Sequence, residues 1–541
     1  MIFNVEKEIM KKRNIFKGII AASMLVVIAG SCESHTEDII TELNTNRELS
    51  PTNVKATVRN RTSVELIWDT NESDDHYVVQ FSANDTDFGT VFKELNVTAD
   101  QLPVTVVLEG ETLYSIRVKA ISNRGKEDSK WSETSAQTLD EQIFLVAQAG
   151  DVLGKEATLR WVPNSTATRI VLTPADETKP TVTHTITAQE KTAGIAVVTG
   201  LSSLTSYTAD IFNNTSRRGS QAIKTGIDLS DGTEVSPTDD LATIIANAAA
   251  RDILILKPGD YTSQVSTIVL NKPITIRGLR SFDKPKLKLS FSLAPFATGV
   301  TGDINLIDLD LTGSPASAGN KVDVIRYSVS GNYSKLLVSG CTIHDYERTL
   351  VGAGTGINAN IPSIIVENSV VTNVGTAGTG SFVDFRAAFA DEIKFKESTF
   401  NNCVPGAAFI RSDNATVFGA VTTDVIIENC TLYGVTNTIA TSGLQILYVR
   451  FADNAAIVRN SIFAATVARY ANQSTTKNPT FTNNNYFNAA TLNQAAPIEP
   501  FKSDPEGTAL DPQFVNAATG DFTIKNQALI DRKVGDPRWI K

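Results

Sequence analysis

The sequence predicts an all-β chain: two β-sandwich modules followed by a right-handed parallel β-helix with an N-terminal capping helix. Three observations carry this expectation. Apolar and polar residues alternate through Val64, Leu66 and Trp68, through Tyr77, Val79 and Phe81, and through Tyr114, Ile116 and Val118, the period of half-buried strands. The same plan recurs after 93 residues, Trp161 answering Trp68 and Tyr207 answering Tyr114. Beyond Asp231, strand-like segments return every 24–32 residues with no helical period, which marks a solenoid.

At 541 residues the chain is too long for one ordinary domain. Its formal net charge of -10 argues against nucleic acid as a partner, because phosphate binding needs a basic surface. A local basic patch stays compatible with that overall sign. The four histidines, His35, His76, His184 and His344, lie far apart in sequence, which disfavours a histidine-rich zinc site and a Ser-His-Asp arrangement. Cys341, Cys403 and Cys430 fall in strand-patterned segments and read as small buried hydrophobes, not as a disulfide framework.

The first element is an export signal. Lys11, Lys12 and Arg13 precede a short apolar run from Ile19 to Ile28, and small residues then lead to Cys32. The run is too short for a comfortable membrane span. This order resembles a bacterial lipoprotein signal over residues 1–31, with Cys32 as the lipidated residue that would anchor the chain to the outer membrane. Met10 opens a more typical signal than Met1. The acidic tract from Glu33 to Asp38 resembles the surface-export tether of Bacteroidetes lipoproteins, and residues 32–48 read as a linker.

The two modules follow, over 49–139 and 140–226. In each, a Leu (Leu108, Leu201) stands six residues before the tyrosine, which resembles the tyrosine corner of β-sandwiches. Trp68 and Trp161 are expected in the cores. These features resemble fibronectin type III modules, the second more loosely because its Trp161 strand is short. Such modules imply spacing or presentation, not catalysis.

The solenoid spans 227–541. Asp239 to Arg251 reads as one amphipathic helix, with Leu241, Ile244, Ile245 and Ala248 on one face. It would cover the open end of the stack, whose unpaired edge needs protection. The strand segments that follow turn at Gly278, Asp308, Gly340, Asn368, Glu397, Asn429, Asn460 and Asn484. Asparagine suits a left-handed bend between strands and can form a ladder from coil to coil. The helix-then-strand opening resembles the start of pectate-lyase-like β-helices. The whole region, with its closing segment from Asp511 to Trp539, resembles paired uncharacterised families of Bacteroidetes polysaccharide-utilisation loci.

One feature exceeds coil geometry. Strands end in arginine at Arg326, Arg386, Arg411, Arg450 and Arg469, and the coil before Asn368 lacks one. Stacked on one wall, such arginines would lie about 4.8 Å apart and would need acids or a bound polyanion to neutralise them. Asp384 and Asp413 stand two residues from Arg386 and Arg411, hence on the same face. Tyr327, Phe385, Tyr448 and Tyr470 lie nearby, although strict alternation puts only Tyr448 on the face of its arginine. Guanidinium forks match carboxylates, and aromatic rings give sugars a face to stack on. The expected function is therefore capture of an acidic, pectin-like polysaccharide at a cell surface.

The alternative that the resemblance implies is a lyase acting by β-elimination. Its calcium would be held by Asp384 and Asp413, and Arg386, Arg411 or Arg450 would be the base. The chain departs from the well-known lyases in lacking clustered acids and their arginine-and-proline motifs. A hydrolase would need compact aspartates, whereas Asp308, Asp310 and Asp323 are scattered. A structural or adhesive surface protein without a glycan ligand is the third reading.

Overall fold

A computed structural model describes residues 46–71, 74–313, 322–413, 415–438, 444–451, 453–497 and 499–541. The expected signal and Cys32 lie outside the described residues. The described residues divide into two compact units, one ending at Glu141 and the other beginning at Gln142.

The first unit is a sandwich of a three-stranded and a four-stranded antiparallel sheet. Its alternating residues close one core: Val64, Leu66, Trp68, Tyr77, Val79, Phe81, Tyr114, Ile116 and Val118 are all buried. The Tyr114 hydroxyl accepts a hydrogen bond from the Glu109 backbone N–H at 3.1 Å, pinning the corner.

The second unit opens with a sandwich of four and two strands. Trp161 is fully buried in its core. The strand before it is only Glu156–Arg160, so the tryptophan itself joins through a single bridge to Phe144. The Tyr207 hydroxyl accepts from the Ser202 N–H at 2.9 Å, the same corner as in the first module.

From Thr233 onward the chain winds as a parallel β-helix with three walls, of eleven, seven and eight strands. One continuous apolar core runs inside it from Val235 to Leu492. The capping helix is shorter than expected, Leu241–Asn247. Asp240 caps it by accepting from the Thr243 N–H, and Ala248 leaves helical geometry with ψ 144, which ends it. Leu241 and Ile245 are the helix residues that join the buried core.

The corners follow from left-handed residues. Asp308, Gly340, Asn368, Glu397, Asn429 and Asn460 all have positive φ, as expected. Two hinges differ. Gly278 stays within the strand Ile274–Gly278, where a Cβ would sit 2.4 Å from the Asp308 carbonyl oxygen; close approach, not a bend, requires glycine there. At the last corner the left-handed residue is Asn483, one earlier than expected. Its amide continues the ladder, Asn483 to Asn460 at 2.8 Å and Asn460 to Asn429 at 3.0 Å. Asn484 instead turns inward to the Val458 carbonyl and to Asp504.

The next residue inward forms a second column. The Cys341 N–H donates to Ser369 Oγ, the Ser369 N–H to Ser398 Oγ, and the Cys430 N–H to Ser461 Oγ, each at 3.1 Å. Cys341, Cys403 and Cys430 are free and buried, and burial pushes the thiols of Cys341 and Cys403 up to about 12. The closing segment packs on the eight-stranded wall, where Ile524, Leu529 and Val534 cover Ile462 and Ala464. The Trp539 indole donates to Thr399 Oγ1 at 2.7 Å.

Candidate functional site

Four of the five expected arginines come from the seven-stranded wall. Its last five strands are Ile325–Tyr327, Val351–Ala353, Val383–Phe385, Ile410–Ser412 and Leu447–Val449. Each is short, with its middle residue outward unless packing covers it. Register places Arg326, Gly352, Asp384, Arg411 and Tyr448 in one column. Two residues further along, Asp413 and Arg450 continue the ladder from the neighbouring coil, since their N–H groups donate to the Phe385 and Ser412 carbonyls at 2.8 Å. Arg386, Asp413 and Arg450 therefore form a second column.

The expected single ladder of arginines is thus corrected to a checkerboard. Asp384 faces Arg411 across the register and Arg386 along its own strand. Arg386 donates from Nε and Nη2 to the two oxygens of Asp384 at 3.1 and 3.2 Å. Arg411 donates from the same pair of nitrogens to Asp413 Oδ2 at 3.1 and 2.7 Å. Arg450 Nη1 stands 3.8 Å from the other oxygen of Asp413. Alternation turns the repulsion of stacked like charges into attraction between neighbours.

Arg469 does not join the array. It lies beyond the last named strand of this wall, in an isolated bridge with Gln445, and its guanidinium stacks over Phe501 at 3.8 Å. Tyr327, Phe385 and Tyr470 are fully buried, so they are not sugar platforms. The period of two explains this: a residue next to an outward arginine points inward. Tyr448 alone reaches the surface, with the Arg411 guanidinium 5.3 Å from its ring centre.

One feature escaped the sequence reading, and a second was seen there only as a missing arginine. Arg348 shares Asp323 with Arg326, at 3.3 and 3.1 Å. It precedes its strand instead of ending it, so no strand-final pattern marks it. Thr349 Oγ1 donates to the same aspartate at 2.8 Å. The second feature is the coil that lacks an arginine. It reads Val351-Gly-Ala-Gly354, and a side chain at either glycine would press on the end of a neighbouring side chain. A Cβ on Gly352 would come within 2.7 Å of Thr349 Oγ1, and one on Gly354 within 3.0 Å of Arg326 Nη2. The result is a rung between Arg326 and Asp384 that carries no charge of its own and is covered by the Thr349 and Arg326 side chains.

Five arginines, Arg326, Arg348, Arg386, Arg411 and Arg450, therefore share three aspartates, Asp323, Asp384 and Asp413. Asp384 and Asp413 do not fit the expected calcium site. Arginine forks already occupy both, and among the described residues no group of three or more His, Cys, Asp or Glu could hold a metal ion. The aspartates weighed for hydrolysis are taken up in separate ion pairs, Asp323 with Arg326 as above. Asp308 pairs with Arg277 at 3.1 Å, and Asp310 pairs with His344 at 3.1 Å.

Comparison with known proteins agrees with this organisation. Residues 49–138 match the fibronectin type III domain. Residues 259–403 match a domain of unknown function, DUF4957, and residues 425–539 match another, DUF5123. No curated protein matches the chain. Among solved structures, a two-domain fibronectin type III segment of chicken tenascin is 17% identical, with TM-score 0.23, covering 32% of this chain and 99% of that one. The FN1–FN3 domains of chicken CNTN1 are 19% identical, with TM-score 0.14, covering 33% and 66%. The central fibronectin-III array of RIM-binding protein is 15% identical, with TM-score 0.14, covering 34% and 64%. The fibronectin type III match and the two matched domains suggest an extracellular surface or adhesive protein.

Proposed function

We propose that this chain is a surface lipoprotein of the Bacteroidetes polysaccharide-utilisation type, tethered to the outer membrane through Cys32. Its pectate-lyase-like helix binds an acidic, pectin-like polysaccharide on the seven-stranded wall. The observation that carries this reading is a charge surplus. A chain of net charge -10 gathers five arginines around three aspartates on one wall. Guanidinium groups that are part-exposed, such as Arg326 and Arg450, retain donors for a uronate carboxylate.

Affinity electrophoresis tests the reading. The protein should be retarded in gels holding polygalacturonate and run unhindered in gels holding a neutral glycan. Retardation should persist in EDTA, because arginines and not a metal meet the carboxylates. Unchanged mobility in every gel would end the glycan reading and leave an adhesive or structural role. New ultraviolet absorbance from unsaturated uronate, with calcium present, would replace binding by lyase activity.

A further inference from the structure

Resting on that glycan-binding reading, we infer that the wall reads an extended polyuronate lengthwise, through two separate surplus arginines and not through one carboxylate pocket. The charges divide by position. At one end Arg326 and Arg348 share the single carboxylate of Asp323. At the other end Arg411 and Arg450 share Asp413. Between them Asp384 and Arg386 form a fork that neutralises itself. Within these ion pairs the surplus is therefore one positive charge at each end and none in the middle.

The spacing of the ends selects the ligand. Arg326 sits on the third strand of the wall and Arg450 directly after the seventh, four strand steps away. At about 4.8 Å per step the two ends are about 19 Å apart along the helix axis. A single uronate or a disaccharide cannot span that distance, whereas an extended oligomer carries a carboxylate to both ends. Once one end is held, the second contact becomes intramolecular and affinity rises with chain length.

The arrangement also supplies clean variants. Arg326→Ala leaves Asp323 with Arg348, and Arg450→Ala leaves Asp413 with the shorter contact to Arg411. Neither change strands a buried carboxylate, so both proteins should keep the melting temperature of the parent.

Titration calorimetry of the full chain with galacturonate monomer, dimer, tetramer and octamer tests the inference. The octamer should bind about a hundredfold more tightly than the dimer. Each single variant should weaken octamer binding about tenfold, and the double variant about a hundredfold. Dimer and octamer binding alike, or a double variant that binds the octamer like the parent, would overturn the inference while leaving glycan binding in place. Absence of binding at every length would overturn the glycan reading itself, and this inference with it.

Discussion

Replacing Phe382 by alanine is expected to destabilise the β-helix by about 3–5 kcal/mol, the usual cost of a large cavity in a packed core. Phe382 stands immediately before the strand that carries Asp384, and it is fully buried. Its ring stacks on Phe409 at 4.7 Å between centroids. It meets Phe400 and Phe395 edge-on at 5.5 and 6.0 Å. Phe395 belongs to the eleven-stranded wall and Phe400 to the eight-stranded wall, so this aromatic plug ties all three walls at the level of the site. Neighbouring coils are close-packed and collapse poorly, which keeps the cost high. Urea denaturation followed by circular dichroism would show the midpoint falling. A midpoint unchanged within error would mean that the plug does not anchor these coils.

The second large effect concerns Arg386. Arg386→Ala removes the fork on Asp384, a carboxylate whose side chain is only 11% exposed. The stranded carboxylate loses its donors, at a cost of about 1–3 kcal/mol; the partial exposure of the arginine keeps the value below that of a fully buried pair. Adding Asp384→Asn should recover much of the loss, because a neutral amide costs less to bury unpaired. The double-mutant cycle therefore reports a coupling energy. Additive losses would show that the two residues stabilise the wall independently. The same reasoning makes Arg411→Ala a poor binding probe. It removes the short fork on Asp413 and leaves only the 3.8 Å contact of Arg450.

The sequence made the architecture legible because burial on a strand imposes a period of two, and stacking of coils imposes a second period. Trp68, Trp161, Tyr114 and Tyr207 fell where that pattern put them. The corner residues were legible for a steric reason: the left-handed bend at Asn368, Asn429 and Asn460 narrows the choice of residue. The slip from Asn484 to Asn483 shows the limit of the argument, since three asparagines in a row satisfy the bend equally well in sequence.

The site was legible only in part. That Arg326, Arg386, Arg411 and Arg450 come from one wall could be read from their place at strand ends. Their separation into two columns could not. It depends on register across loops of different lengths, and an offset of two residues preserves the face while changing the partner. Arg348 was silent because its role comes from the turn that brings it to Asp323, and a turn has no period. The uncharged rung was visible as a missing arginine; only the structure showed that Gly352 and Gly354 lie buried beneath the Thr349 and Arg326 side chains.

Comparing polygalacturonate with its fully methyl-esterified form tests the central claim most directly. Esterification keeps the sugar backbone and its length but removes the charges that surplus guanidinium groups would meet. Measured by calorimetry at one ionic strength, binding should be strong for the free acid and lost for the ester. Equal affinity for the two would contradict the account, because recognition would then owe nothing to the arginines of the seven-stranded wall.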